Sequence, residues 1–165
     1  LEEEDFPIRE LTKGAIWTVS SSKNGYEITN MFDGSMETCW QSDSTTPHWI
    51  CAQFSRKTYV SAVMIYLCIH QDETYTPVKL VVQIGDEPLL MEDVLEVEPA
   101  VCTGWVRIPV DRSGMFIRIT IMKNYMDGRD SRIRQLKLMG GPMVPSEDEN
   151  FMTTEPEILR FLSLR

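Results

Sequence analysis

The sequence holds no uninterrupted apolar stretch of the roughly 18 residues that a membrane-spanning helix requires, so no such span is expected. Its first residues, Leu1-Glu2-Glu3-Glu4-Asp5, lack the basic start and apolar core of a secretory signal, which points to an intracellular protein. No two of the four cysteines (Cys39, Cys51, Cys68 and Cys102) form a C-x-x-C pair, and only His48 and His70 could join them as soft ligands. Zinc sites are normally built on paired short spacings, so no structural metal is expected. Cys51 and Cys68 fall in apolar runs, where a reduced thiol acts as a small hydrophobe. Neither histidine sits near a recognisable nucleophile motif, and the reading is of a protein that is not an enzyme. Asp43, Asp72, Asp127 and Asp130 could in principle surround a calcium ion, but no loop has the dense oxygen-ligand pattern of an EF-hand. No cofactor is therefore expected. No internal repeat is visible, which excludes solenoids and propellers.

A basic surplus is missing too. The formal charge is -9, and most of it lies at the two ends. Residues 1–10 hold five acids against one base, and residues 142–165 five acids against two bases. The body between them is nearly balanced. Generic nucleic-acid binding needs a basic surface to displace counterions, and this charge pattern excludes it. With 165 residues the chain suits one domain with a proper core. The divisions read from the sequence are an acidic lead (1–10), a strand-rich body (11–141), and a flexible linker with a terminal tail (142–165). The linker is announced by Gly140-Gly141-Pro142, Pro145 and the polar run Ser146-Glu147-Asp148-Glu149-Asn150.

What the body does contain is strand signal. His48–Phe54, Val60–Ile69, Val78–Ile84, Trp105–Val110, Met115–Met122 and Ile133–Met139 are short runs rich in Val, Ile, Met and aromatic residues. Val82 and Ile84, like Ile117, Ile119 and Ile121, recur at every second position, the pattern of an antiparallel sheet covered on one face. Val60–Ile69 is apolar on both faces and reads as a central strand. Polar clusters at Ser55–Thr58, Gly85–Pro88 and Asp111–Gly114 read as turns. Helix is scarce: one turn at Ile28–Phe32 and another at Leu89–Leu95. Six or more strands at this spacing predict an all-β, antiparallel sandwich with Ile65, Leu67, Val82, Ile119 and Ile121 buried.

Three loops carry unusual side chains: Thr38–Asp43, Asp72–Pro77 and Asn124–Ser131. If 48–54 and 60–69 form a hairpin about the turn at 55–58, the first two loops lie at one end of the sandwich. Loops at one end of a rigid scaffold are the usual place for a binding site. Each residue also has a plainer role. Trp40 is as well suited to plugging the core as to contacting a partner. Gly128 can serve simply to supply a positive φ. Arg129 and Asp130 can pair with neighbours and brace their loop. Asp72 and Glu73, taken alone, form a solvated turn.

Trp40-Gln41-Ser42-Asp43, Arg56-Lys57-Thr58, Tyr75-Thr76-Pro77, and Gly128-Arg129-Asp130 followed by Arg134-Gln135-Leu136-Lys137 resemble, in order and spacing, the motifs of the Doc-domain family. The similarity runs from about Leu11 to Leu138, and within the family it is nearest to the Doc subunits of the anaphase-promoting complex. It implies a jelly-roll sandwich of the galactose-binding-domain type. It further implies a non-catalytic processivity subunit of a ubiquitin ligase, which serves with a β-propeller coactivator as co-receptor for the destruction box of substrates. Residue by residue, the resemblance puts Ser42, Asp43, Asp72, Glu73, Tyr75, Asn124, Gly128, Arg129 and Asp130 on or near the degron-facing end. Asp127 departs from the family's Asn at that position and replaces an amide with a charge. Ser163-Leu164-Arg165 resembles the family's Ile-Arg tail, which implies that Leu164 and Arg165 dock on a tetratricopeptide-repeat subunit. The implied compartments are nucleus and cytoplasm. The competing reading is a carbohydrate- or lipid-binding sandwich of the discoidin type; the mid-chain cysteines and the lack of a signal count against it.

Overall fold

Two strands organise the molecule, because each is long enough to serve both layers of a sandwich. The structure, a computed structural model, describes residues 7–100 and 103–141. Its strands are β1 (Arg9–Glu10), β2 (Ala15–Val19), β3 (Trp40–Gln41), β4 (His48–Cys68), β5 (Pro77–Gly85), β6 (Glu92–Val97), β7 (Thr103–Asn124), β8 (Arg132–Ile133) and β9 (Gln135–Gly141). All pairings are antiparallel. The first half of β4 pairs with β2 and with the second half of β7, which in turn carries β5 and then β6. The second half of β4 pairs with the first half of β7 and with β9, and β9 carries β1. The two layers share one core that includes Ile50, Phe54, Ile65, Leu80, Val82, Ile108, Ile119 and Leu138. Ile65, Leu67, Val82, Ile119 and Ile121 are all buried, as the period-2 pattern predicts.

The predicted hairpin is absent. Ser55–Thr58 and Asp111–Gly114 are not chain reversals; they are the places where β4 and β7 bend side by side from one layer to the other. Thr58 pairs with Gly114 and Val60 with Arg112, with register shifts on either side. Asp111 takes a φ of 49° in this bend, and a Cβ on Gly114 would lie 2.7 Å from Ile84. Polar residues and glycine mark a crowded, twisted corner as readily as a turn. The two halves of β4 still run to a common end, because the strand folds over the core instead of pairing with itself.

Other boundaries shift for similar reasons. Leu89–Leu95, expected to be helical, instead leads into strand β6, where Val94, Leu95 and Val97 pack on the core. Ile28–Phe32 does form a short 3-10 turn. Arg9 and Glu10, assigned from sequence to the acidic lead, pair with Gly140 and Met139. Gly140 and Gly141, which announce the linker in the sequence, are themselves the last residues of β9, inside the 11–141 body. A Cβ at Gly140 would sit 2.1 Å from the Tyr59 carbonyl oxygen, so glycine there permits close strand contact. β2 escaped the sequence reading because its inner face is only half buried. Leu164, Arg165 and the linker lie outside the described residues.

Candidate functional site

The three loops converge at the end of the sandwich opposite the two strand bends. β3 and β8 form a small ribbon there, pairing Trp40 with Ile133 and Gln41 with Arg132. Trp40 is fully buried, its indole N–H donating to the Ser21 carbonyl at 3.1 Å, so it plugs the core. The Ser42 hydroxyl donates to Asp130 Oδ1 at 2.9 Å and accepts the Ser131 amide at 2.9 Å. Asp130 Oδ1 also accepts the Ser44 amide. The first and third loops are thus locked together.

The backbone of Gly128-Arg129-Asp130 is held by buried donors beneath it. Asn124 Nδ2 donates to the Gly128 carbonyl at 2.9 Å and to the Asp130 carbonyl at 3.1 Å, while Asn124 Oδ1 accepts the Ser131 hydroxyl at 2.6 Å. His48 Nε2 lies 2.7 Å from the Arg129 carbonyl. A carbonyl only accepts, so the His48 ring donates through Nε2. Three successive carbonyls turn inward, and the Arg129 side chain is left exposed, with no ion pair or hydrogen bond of its own among the described residues.

Gly128 does not supply a positive φ, since its φ is -56°. Glycine is needed because a Cβ would lie 1.8 Å from the Thr74 carbonyl oxygen, where the second and third loops touch. The positive angles fall on Met126 (52°) and Asp127 (59°), and an Asp tolerates that backbone. Asp127 is exposed and lies 3.5 Å from Lys123.

The second loop is anchored by an ion pair that sequence alone did not reveal. Asp72 is 1% exposed and accepts from Arg134 Nε at 3.0 Å and Nη2 at 2.7 Å. This two-pronged hydrogen bond holds the guanidinium above even its usual high pKa. Arg132 lies 3.5 Å from the same carboxylate, is fixed by Gln41 Oε1 at 2.9 Å, and stacks 4.1 Å from the centre of the Tyr75 ring. Glu73 is exposed on a backbone with φ of 46°.

The nine residues singled out by sequence therefore separate into groups. Ser42, Asp72 and Asn124 are buried and brace the loops. Asp43, Glu73 and Arg129 are exposed, and Tyr75, Gly128 and Asp130 are half exposed. The four carboxylates considered for calcium do not gather. Asp72 is committed to Arg134, Asp130 to Ser42 and Asp127 to Lys123. His48 and Arg132 were not expected at this end, and Gln41 and Ser131, although inside the expected loops, were given no role there. A signal existed for one of them: Arg132, Ile133 and Arg134 place two arginines on one side of an apolar strand, where they need a carboxylate.

The fold agrees with comparisons to known proteins. A chitinous or sugar-binding likeness appears only at the level of fold. The family 32 carbohydrate-binding module of C. perfringens NanJ, solved with galactose, matches with a TM-score of 0.69 at 13% identity, over 81% of this chain and 99% of that one. A fucolectin from striped bass serum matches with a TM-score of 0.67 at 13% identity, over 84% of this chain and 50% of that one. Both likenesses are of fold: an antiparallel β-sandwich shared at low sequence identity. Sequence relatives are nearer. An anaphase-promoting complex subunit 10 from Bos taurus is 34% identical over 137 residues, covering 79% of this chain and 74% of the relative. The Dictyostelium discoideum protein of that name is 32% identical over 162 residues, covering 94% and 86%. That from Schizosaccharomyces pombe is 37% identical over 131 residues, covering 75% and 69%. The sequence model described as "Anaphase-promoting complex, subunit 10 (APC10)" matches residues 3–158, and the chain belongs to that family.

Proposed function

We propose that this chain is a non-catalytic substrate-recognition and processivity subunit of the anaphase-promoting complex, and that its loop end is the destruction-box co-receptor surface. The observation that carries the reading is the inward grip on the Gly128, Arg129 and Asp130 carbonyls, which presents Arg129 outward on a fixed backbone. The exposed acids Asp43 and Glu73 stand on the neighbouring loops. A rigid end with free charges of both signs suits a short peptide, and sharing that peptide with a β-propeller coactivator lets two weak contacts act as one strong one. Leu164 and Arg165 are the proposed anchor on a tetratricopeptide-repeat subunit, offering an apolar side chain and a guanidinium together. Nucleus and cytoplasm are the proposed compartments, in keeping with a cell-cycle assembly.

The test is charge reversal at Glu73 and Arg129, which are exposed; Asp72 is unsuitable because its reversal would break a buried pair. Glu73→Lys with Arg129→Glu is expected to leave the melting temperature and incorporation into the complex unchanged. The number of ubiquitins added per encounter with a destruction-box substrate should fall. Unchanged processivity would remove the loop end from consideration. Deleting Leu164-Arg165 should weaken retention on the tetratricopeptide-repeat subunit without altering the stability of the isolated chain.

A further inference from the structure

The outer face of the layer formed by β9, the second half of β4 and the first half of β7 is not the polar surface expected of a solvated sheet. Ile8, Ala62, Met64, Trp105 and Met139 line a groove of about 540 Å³ there, together with Ser61, the cations Arg107 and Lys137 and one acid, Glu10, so that bases outnumber acids along it. Met64 pairs with Arg107 on one side and Lys137 on the other, so the two cations flank an apolar floor. Trp105 is 39% exposed and Ile8 51%. Lys137 Nζ lies 5.2 Å from the centre of the Trp105 ring. Among the described residues, neither Arg107 nor Lys137 forms an ion pair. The fitting occupant is an acidic segment that also carries large apolar side chains.

The chain itself contains one within reach. Met139 lies on the groove wall, two residues before the end of β9 at Gly141. The sequence then runs through Glu147-Asp148-Glu149-Asn150 to Phe151-Met152. Pro142 has no N–H with which to lengthen the β9 ladder. An extended stretch of about ten residues spans about 33 Å, ample to bring Phe151 back over the sheet. We propose that residues 147–152 seat in this groove, the three carboxylates toward Arg107 and Lys137 and the Phe151-Met152 pair over Trp105 and Met64. A tether of this length gives an effective concentration on the order of millimolar, so modest contacts suffice to populate the seated state. The segment thereby shields an apolar face while leaving the residues after it free for other contacts. This proposal does not depend on the function assigned to the loop end.

The test uses the full chain labelled with ¹⁵N, with the Trp105 indole N–H resonance assigned through Trp105→Phe. Phe151→Ala with Met152→Ala, and separately Glu147→Lys with Glu149→Lys, should shift that resonance and speed its exchange with water. The indole resonance of buried Trp40 should stay in place, reporting an intact core. Arg107→Glu with Lys137→Glu should also speed exchange, and combining these reversals with Glu147→Lys and Glu149→Lys should restore protection of Trp105. A Trp105 signal indifferent to all the tail substitutions overturns the proposal. So does a failure of the charge swap to restore protection, or protection that grows with protein concentration, which would place a second copy on the face.

Discussion

At one end of the sandwich Asp72, Arg134, Asn124, Ser42, Ser131 and His48 are buried and bonded across three loops. At the other end the turn after β5 is held by Lys57 with Asp86 at 3.4 Å and by Arg118 with the Pro88 carbonyl at 3.2 Å, both on the surface. Leu89 stands 94% exposed at its tip. Both ends connect strands, yet among the described residues only the first encloses an ion pair and a network joining several loops, while the bend at the other end buries the single hydroxyl of Thr58. Buried polar networks add little net stability for the cost of desolvating them, but they specify one arrangement, and here all members but His48 Nδ1 and the neighbouring Thr76 Oγ1 have partners. The contrast indicates that the loop end is built to hold a shape, while the far end merely joins β5 to β6.

The sharpest way to break this comparison is Arg134→Met. It strands the Asp72 carboxylate in the interior and should cost about 3–5 kcal/mol in urea unfolding, with much of the loss recovered by Arg134→Met in combination with Asp72→Leu. Asn124→Ala removes donors from two carbonyls and an acceptor from Ser131, and should cost about 2–3 kcal/mol. His48→Leu frees one carbonyl and should cost about 1–2 kcal/mol, with Gln at that position, still a donor, losing less. Its more telling readout is recognition: if the Arg129 backbone drifts, His48→Leu weakens destruction-box processivity beyond its effect on stability. At the far end, Lys57→Ala should change stability by no more than about 0.5 kcal/mol. A far-end effect as large as that of Arg134→Met would erase the distinction.

The parts of the molecule legible in the sequence are those where local pattern reports burial. The alternation of Ile117, Ile119 and Ile121 gave the inward face of β7, and the two apolar faces of Val60–Ile69 gave the central place of β4, paired on both sides. The corners were misread because bending strands and reversing chains recruit the same residues, Gly, Asp, Ser and Lys. The loop end was legible as a location and opaque as a mechanism. Asp72, Asn124 and Ser42 are residue types that usually face water in loops. What turns them inward are partners 62 residues away for Asp72 and 88 residues away for Ser42, a distance over which composition carries no information. Gly128 shows the same limit: its reason is a neighbouring carbonyl and not its own torsion angle.

The pairing of β1 with β9 bears on how the protein comes into being. Arg9 lies beside Gly140, and Leu136 and Leu138 fill the core against strands made far earlier. A ribosome makes β4 long before it supplies the strand that covers the open edge of β4, for β9 follows β7 and starts only at Gln135. Until β9 emerges, that edge and its apolar inner face remain available to other chains. Nascent chains halted before β9 should therefore collect chaperones, and release should coincide with completion of that strand.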